Sequence, residues 1–185
     1  MDRKRKQLTR EDTMEFKKQN TITAILCMVY LLLLTGIILF KLPFYSPELS
    51  DGIRVINLIP LQGSFDENGV LIWREIMNNI LIFVPSGIYI CMLKNEWSIA
   101  RKLIPVIALT FTFEILQFIF ALGRSDITDI LGNTLGGIIG IGLYSLSFTI
   151  LKSRTLKIVT IVAAAVTVCV VLRFVYLFYL SHFVM

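Results

Sequence analysis

The sequence predicts an all-α membrane protein, a polytopic bundle of five transmembrane helices with its N-terminus in the cytoplasm and its C-terminus outside. Three observations predict it. Hydrophobic residues make up 56% of the 185 residues and the mean hydropathy is +0.76, where soluble domains are about 45–50% apolar. The apolar residues are gathered into runs of about 20, the length that crosses a bilayer core. The Lys and Arg residues fall in the short gaps between the runs, where they set topology, so the net charge of +5 does not point to nucleic acid.

Residues 1–20 carry seven basic residues, Arg3, Lys4, Arg5, Lys6, Arg10, Lys17 and Lys18, with Asp2, Glu11, Asp12 and Glu15 among them. They read as a mostly solvated cytoplasmic tail, helical at most in its second half. The membrane domain follows over 21–185. Its first run, 21–40, is longer than a signal peptide's core and ends in Phe40-Lys41-Leu42-Pro43 rather than in small residues, so it reads as a retained anchor. The second run is 76–93, the third 103–122, the fourth 127–150 and the fifth 158–180. Unpaired backbone groups are so costly in lipid that spanning segments are helices or closed barrels. Runs of this length without strict alternation are helices. Pro85 and Pro105 are tolerated inside them when neighbours satisfy the freed carbonyls.

With the N-terminus inside, the tail, Lys94, Arg101 and Lys102, and Lys152, Arg154 and Lys157 place thirteen basic residues in the cytoplasm, against Lys41, Arg54, Arg74 and Arg124 outside. That asymmetry gives the orientation. Trp73 and Trp97 fall at helix ends, where interfacial anchors belong. The longest loop, Lys41 to Glu75, is then external. It holds Pro43, Pro47 and Pro60 and a turn at Asp66-Glu67-Asn68-Gly69. Its Ile56–Leu61 stretch is too short to span and is expected to dip into the interface or to pack across the helix ends. No internal repeat is present.

Cys27, Cys91 and Cys169 lie inside apolar runs without CxxC spacing. They read as small hydrophobes, with no disulfide and no metal cluster. His182, the single histidine, is near the C-terminus, which leaves nothing for a His-based triad or a His-ligated zinc site.

Glu114 is the residue that most needs explaining. Counted from Leu103 at 1.5 Å per residue it sits ~16 Å deep. A carboxylate there costs at least roughly 2.5–3.5 kcal/mol. It must be neutral, paired or in a wet cavity, either as a binding or proton-handling group or as a structural hydrogen bond between helices. Gln117 shares its face. Next comes Gly123-Arg124-Ser125-Asp126-Ile127-Thr128-Asp129. Asp126 or Ser125 can cap the fourth helix, but one cap does not explain both aspartates. Asp126, Asp129 and Asn133 follow i, i+3, i+7 and line one face, which Gly132, Gly136, Gly137 and Gly140 extend. Gly132, Gly136 and Gly140 form a ladder that lets another helix approach closely. Asn78 and Asn79 open the second helix near its outer end, and Arg173 lies in the outer half of the fifth, a candidate partner for Glu114 or the aspartates. Asn57, Asn79, Glu114, Gln117, Asp126, Asp129, Asn133 and Arg173 thus all fall at the centre or the outer half under a topology set by Lys and Arg alone. Arg124 is expected to line the same cavity, with Asn57 and Pro60 closing its mouth. Such a cavity would hold a polar head group beside an apolar tail.

At these residues the chain resembles the VanZ family, the teicoplanin-resistance membrane proteins of Gram-positive bacteria. The resemblance runs from about Phe40 to Tyr144. It includes Asn57-Leu58-Ile59-Pro60 and Arg74-Glu75-Ile76-Met77-Asn78-Asn79-Ile80-Leu81-Ile82-Phe83-Val84-Pro85. The most specific part is Thr112-Phe113-Glu114-Ile115-Leu116-Gln117, then Arg124-Ser125-Asp126-Ile127-Thr128-Asp129, then Asn133-Thr134-Leu135-Gly136-Gly137. Each piece alone is weak, and their order and spacing are strong. Ser86 departs from the bulky apolar residue, and Leu61 from the aromatic, usual in the family at those places. The resemblance implies a role in resistance to glycopeptides, teicoplanin above all, by lowering drug access to its target.

Three activities fit these residues. The first is a non-enzymatic binder of an envelope lipid, a lipid-linked cell-wall precursor or a lipoglycopeptide in the outer leaflet of the cytoplasmic membrane. The second is an intramembrane enzyme acting on a lipid-linked envelope substrate, with Glu114 as candidate catalytic acid or base and Asp126 and Asp129 as weak candidates for holding a hard cation. The third is a proton-coupled transporter, for which five helices are few unless the chain forms a homodimer. No nucleophile is evident and no cofactor is implied, so the balance lies with the binder.

Overall fold

The structure, a computed structural model, describes residues 2–39, 54–65, 68–122 and 124–183. Five helices carry it: α1 (Asp2–Leu39), α2 (Trp73–Leu93), α3 (Ile99–Phe120), α4 (Ile127–Leu151) and α5 (Thr155–Phe183). Two short strands, β1 (Val55–Asn57) and β2 (Arg124–Asp126), pair in parallel, Asn57 beside Asp126. Four helical runs are long and apolar enough to cross a bilayer: Lys17–Leu39, Trp73–Leu93, Ile99–Phe120 and Ile127–Leu177. The last joins α4 and α5, which are separated by a 3-10 turn at Lys152–Arg154, with Lys152 at φ +50°.

That turn reverses the chain. Leu156, Val159 and Ala163 of α5 pack on the same core cluster as Ile141 and Tyr144 of α4, which a continuous helix would carry tens of ångströms past them. The cluster also takes Tyr89, Cys91 and Met92 of α2 and Leu26, Cys27 and Tyr30 of α1. A second cluster, Leu34, Leu39, Phe83, Val106 and Phe113, ties α1, α2 and α3 together. Large apolar side chains point outward elsewhere, Leu32 and Leu172 among them, as a lipid-facing surface requires. All three cysteines are free thiols.

The central contact is between α2 and α4, which run parallel. Successive turns of α4 meet successive turns of α2: a Cβ on Gly136 would strike the carbonyl of Ile80, and one on Gly140 the carbonyl of Val84. A Cβ on Gly87 would strike the carbonyl of Gly137 in the opposite direction. Gly132 is looser, its added Cβ lying 3.5 Å from Cβ of Asn79. In lipid such an interface is held by close van der Waals packing rather than by expulsion of water. Pro85 cannot bond back to Leu81, and side chains take the carbonyls that follow. The Tyr30 hydroxyl donates to Ile82 O at 2.8 Å and Ser86 Oγ to Phe83 O at 2.6 Å.

Three expectations need correction. The N-terminal segment is helical from Asp2, not only in its second half. It contains neither Gly nor Pro, so the membrane helix extends into it without a new nucleation cost. The fold is helical with a small parallel ladder added, because β1 in the loop between α1 and α2 and the segment entering α4 satisfy each other's backbone groups where helix partners are lacking. α3 begins at Ile99, four residues before the apolar run. Glu114 therefore sits ~9 Å from the helix's C-terminal end and ~22 Å from its start, well past the midpoint. The turn residues Asp66 and Glu67, and the loop residues Lys41, Pro43 and Pro47, lie outside the described residues.

Candidate functional site

At one end of the bundle α3 stops, α2 and α4 start, and the β1–β2 ladder crosses above them. The local sequence explains the crowding. α3 ends at Ala121, whose left-handed backbone (φ 53°) lets its N–H return to Gln117 O and Phe118 O. The last α3 carbonyls face the chain just before β1, and the Arg54 guanidinium donates to Phe118 O and Ile119 O at 3.3 and 3.2 Å, a cation where the helix dipole favours one. Three residues after Ala121 the chain re-enters as β2, and Asp126 caps α4 by accepting Thr128 N–H at 2.8 Å.

Glu114 ties these pieces together. Its Oε2 accepts the N–H of Asp126 at 2.9 Å, and its main-chain carbonyl accepts the Ser125 hydroxyl at 2.8 Å. Its Oε1 takes no hydrogen bond from the described residues. Asp126 in turn accepts the Asn57 amide at 2.9 Å, while Asn57 Oδ1 accepts Ile59 N–H at 3.1 Å. Leu61 N–H donates to Thr128 Oγ1 at 2.9 Å, which holds the turn after β1 over the first turn of α4. Leu61 itself has φ +65°. Asp129, one turn into α4, takes the Asn79 amide from α2.

Two buried amides flank Glu114, Gln117 on α3 and Asn133 reaching α3 from α4. Gln117 is 8% exposed and donates to Ile38 O of α1 at 3.3 Å. Asn133 is 3% exposed and donates to Thr110 Oγ1 at 2.9 Å, one turn below Glu114. The side-chain oxygens of both, Gln117 Oε1 and Asn133 Oδ1, are buried with no partner. A buried acceptor left without a donor costs about 1–3 kcal/mol, so a donor reaching either oxygen would be stabilising.

The structure therefore brings Asn57, Asn79, Glu114, Gln117, Asp126, Asp129 and Asn133 to one end of the bundle. Pro60 is exposed on the turn above α4, and Arg124 is exposed beside it. A Cβ on Gly63 would strike the Arg124 guanidinium and come within 3.1 Å of Asp126 Oδ2, so this glycine is the space in which Arg124 approaches the acids. Asn78 is exposed, and Arg173 is exposed on α5 outside every polar contact described for this group. Among the described residues no three of His, Cys, Asp and Glu are grouped to hold a metal ion. The arrangement is a partly buried, acceptor-rich surface, able to accept hydrogen bonds from a donor.

Sequence reasoning missed several members. Thr110 was within reach of it, since Thr110, Glu114 and Gln117 follow i, i+4, i+7 on one face. Arg54 and Gly63 act through chain segments 60 or more residues away, and nothing in their local spacing marks them.

The chain matches the VanZ/LLP1 family over residues 27–152, which contains every residue of the cluster. It is 37% identical to Protein VanZ of Enterococcus faecium over 123 residues, covering 66% of this chain and 73% of that one. No solved structure shows a significant match. With the matched stretch running from α1 to the end of α4, the chain belongs to the VanZ family.

Proposed function

We propose that this protein contributes to glycopeptide resistance, teicoplanin resistance above all, by binding an envelope lipid or the lipoglycopeptide itself at the outer half of the cytoplasmic membrane of a Gram-positive bacterium. In this reading all five helices cross the bilayer, N-terminus inside and C-terminus outside, and the polar cluster faces outward. The observation that carries it is the joining of Glu114, Asp126, Asn57, Asp129 and Asn79 at one end of the bundle, with Gln117 Oε1 and Asn133 Oδ1 buried and unpartnered beside them. The 37% identity to Protein VanZ supports the same reading. Teicoplanin differs from vancomycin by an acyl chain. A polar cluster bordered by lipid-facing helices can read a head group and a chain together.

An enzymatic reading has one specific support. Glu114 Oε1 is uncommitted among the described residues in a site that is otherwise closely bonded, as a general acid or base needs to be. Incubating the purified protein with lipid-linked cell-wall precursors and with teicoplanin separates the two. Saturable binding with every input mass conserved is the expected result. A new product in the mass spectrum would replace the binder by an enzyme.

A further inference from the structure

The end of the bundle opposite the acid cluster holds a second feature, which the proposed function does not use. α2 stops at Leu93, the chain turns through 94–98, and α3 starts at Ile99 behind the cap Ser98. Lys94 Nζ stands 5.6 Å from the centre of the Trp97 ring, a cation–π distance. Beside it Trp97, Arg101, Ile104 and Pro105 line a shallow groove of about 280 Å³ on the lipid-facing side of α3. Ile104 is 64% exposed, and both cations are exposed, Arg101 in the groove's lining and Lys94 over the Trp97 ring.

The charges at this spot run against the local rule. A helix N-terminus carries partial positive charge and favours acids in its first turn. The first turn of α3 has no acid and itself carries Arg101 and Lys102. Lys102 is buried and spends its ammonium on the Asn95 carbonyl at 3.0 Å. Arg101 has no such acceptor among the described residues. Topology calls for basic residues in this loop but not at the one helix end that repels them. Ser98 already caps the helix by accepting Arg101 N–H at 3.4 Å, and Glu96 is the acid of the turn, itself exposed; a fixed anion would satisfy the side chains of Arg101 and Lys94.

We propose that this groove binds one anionic glycerophospholipid. Its phosphate sits between Arg101 and Lys94, its glycerol ester region lies at the Trp97 ring, and an acyl chain runs along Ile104 and Pro105. Basic pockets at the cytoplasmic ends of membrane helices hold anionic head groups in this way. An arginine offers the phosphate two parallel donors. A zwitterionic lipid brings its own cation against Lys94 and is disfavoured. Arg101 lies ~20 Å along α3 from Glu114, so the site is separate from the acid cluster on which the resistance reading rests.

Trp97 reports on its own site. The chain has two tryptophans, and Trp73→Phe leaves Trp97 as the only fluorophore of its kind. The full chain carrying that substitution is reconstituted in mixed phosphatidylcholine–phosphatidylglycerol vesicles in which one lipid or the other has brominated chains. Brominated phosphatidylglycerol should quench Trp97 with an apparent association constant several-fold above that of brominated phosphatidylcholine, about fivefold for each cation engaged. Arg101→Gln with Lys94→Gln should bring the two quenching curves together, while Arg101→Lys should retain most of the difference. Coincident curves before any change at Arg101 or Lys94 would overturn the proposal. So would a preference that survives the double glutamine variant. The first of these outcomes does not depend on whether that variant folds.

Discussion

Glu114 and Asp126 are joined through the backbone rather than as a pair of carboxyls: Glu114 Oε2 accepts the Asp126 N–H at 2.9 Å. The Asp126 side chain is thereby free to face the other way, where it caps α4 through Thr128 and takes the amide of Asn57. One acid holds the peptide from which the next acid works. The cluster is a relay from α3 to β2 to α4 to β1, so each substitution within it should have a structural cost separable from a functional one.

The first separation is at Glu114. Glu114→Gln keeps an oxygen for the Asp126 N–H, and Glu114→Ala leaves that buried donor alone. The alanine variant should lose about 1–3 kcal/mol more than the glutamine variant, seen as a lower midpoint of thermal unfolding in detergent. Equal midpoints would mean that β2 stays in place without this bond.

Asn57 and Asp126 lie 69 residues apart and meet through one 2.9 Å bond beside a strand pair. A double-mutant cycle of Asn57→Ala and Asp126→Ala should give a coupling of about 0.5–3 kcal/mol, as groups in one hydrogen-bonded network do. Additive losses would show that the ladder's backbone bonds, and not this side-chain contact, hold the turn after β1 over α4.

These contacts show what the sequence could and could not reveal. Apolar runs marked four of the helices to within a few residues at each end, because lipid demands a minimum apolar length. The start of α1 was hidden, because a charged helix continuing from a membrane segment looks like a solvated tail. Glu114, Asp126, Asp129 and Asn133 stood out because a polar group in a membrane helix requires a reason. Their bonding pattern did not, since it depends on a strand pair between segments that carry no strand periodicity. Arg173 looked like a partner for the same physical reason, yet it lies exposed on α5, where a long side chain can reach toward an interface.

The glycines of α4 offer a graded test. A Cβ on Gly136 meets the Ile80 carbonyl, whereas one on Gly142 meets nothing within 4 Å. Gly136→Leu should sharply reduce the yield of folded protein in detergent. Gly142→Ala should be neutral or gain up to about 1 kcal/mol, since glycine inside a helix is costly. If Gly136→Leu folds with normal yield and midpoint, α2 and α4 do not pack in the membrane as described.

Orientation is open to reporter fusions. Alkaline phosphatase after Met185 should be active and after Lys152 inactive if the proposed orientation holds, in which the thirteen-to-four division of basic residues keeps the α4–α5 turn inside. The reverse pattern would put the acid cluster on the cytoplasmic face and remove the basis for a site in the outer leaflet.

The functional test is drug susceptibility. Glu114→Gln, Asp126→Asn and Asp129→Asn each remove one ionisable group with little change of shape. Glu114→Gln and Asp129→Asn each retain an oxygen for the present donor, Asp126 N–H and the Asn79 amide, whereas Asp126→Asn keeps one for Thr128 N–H and sets a second amide against that of Asn57. They should accumulate in the membrane like the unaltered chain. Expressed in a sensitive Gram-positive host, the unaltered chain should raise the teicoplanin concentration needed to stop growth, with a smaller effect on vancomycin, and the three variants should lose that protection. Full protection by all three at normal membrane levels would make the cluster structural and move the site elsewhere. An unaltered chain that protects against neither drug would refute the resistance reading and leave the architecture untouched. The two failures are distinguishable because the first compares variants with a working parent, and the second shows that the parent does not work.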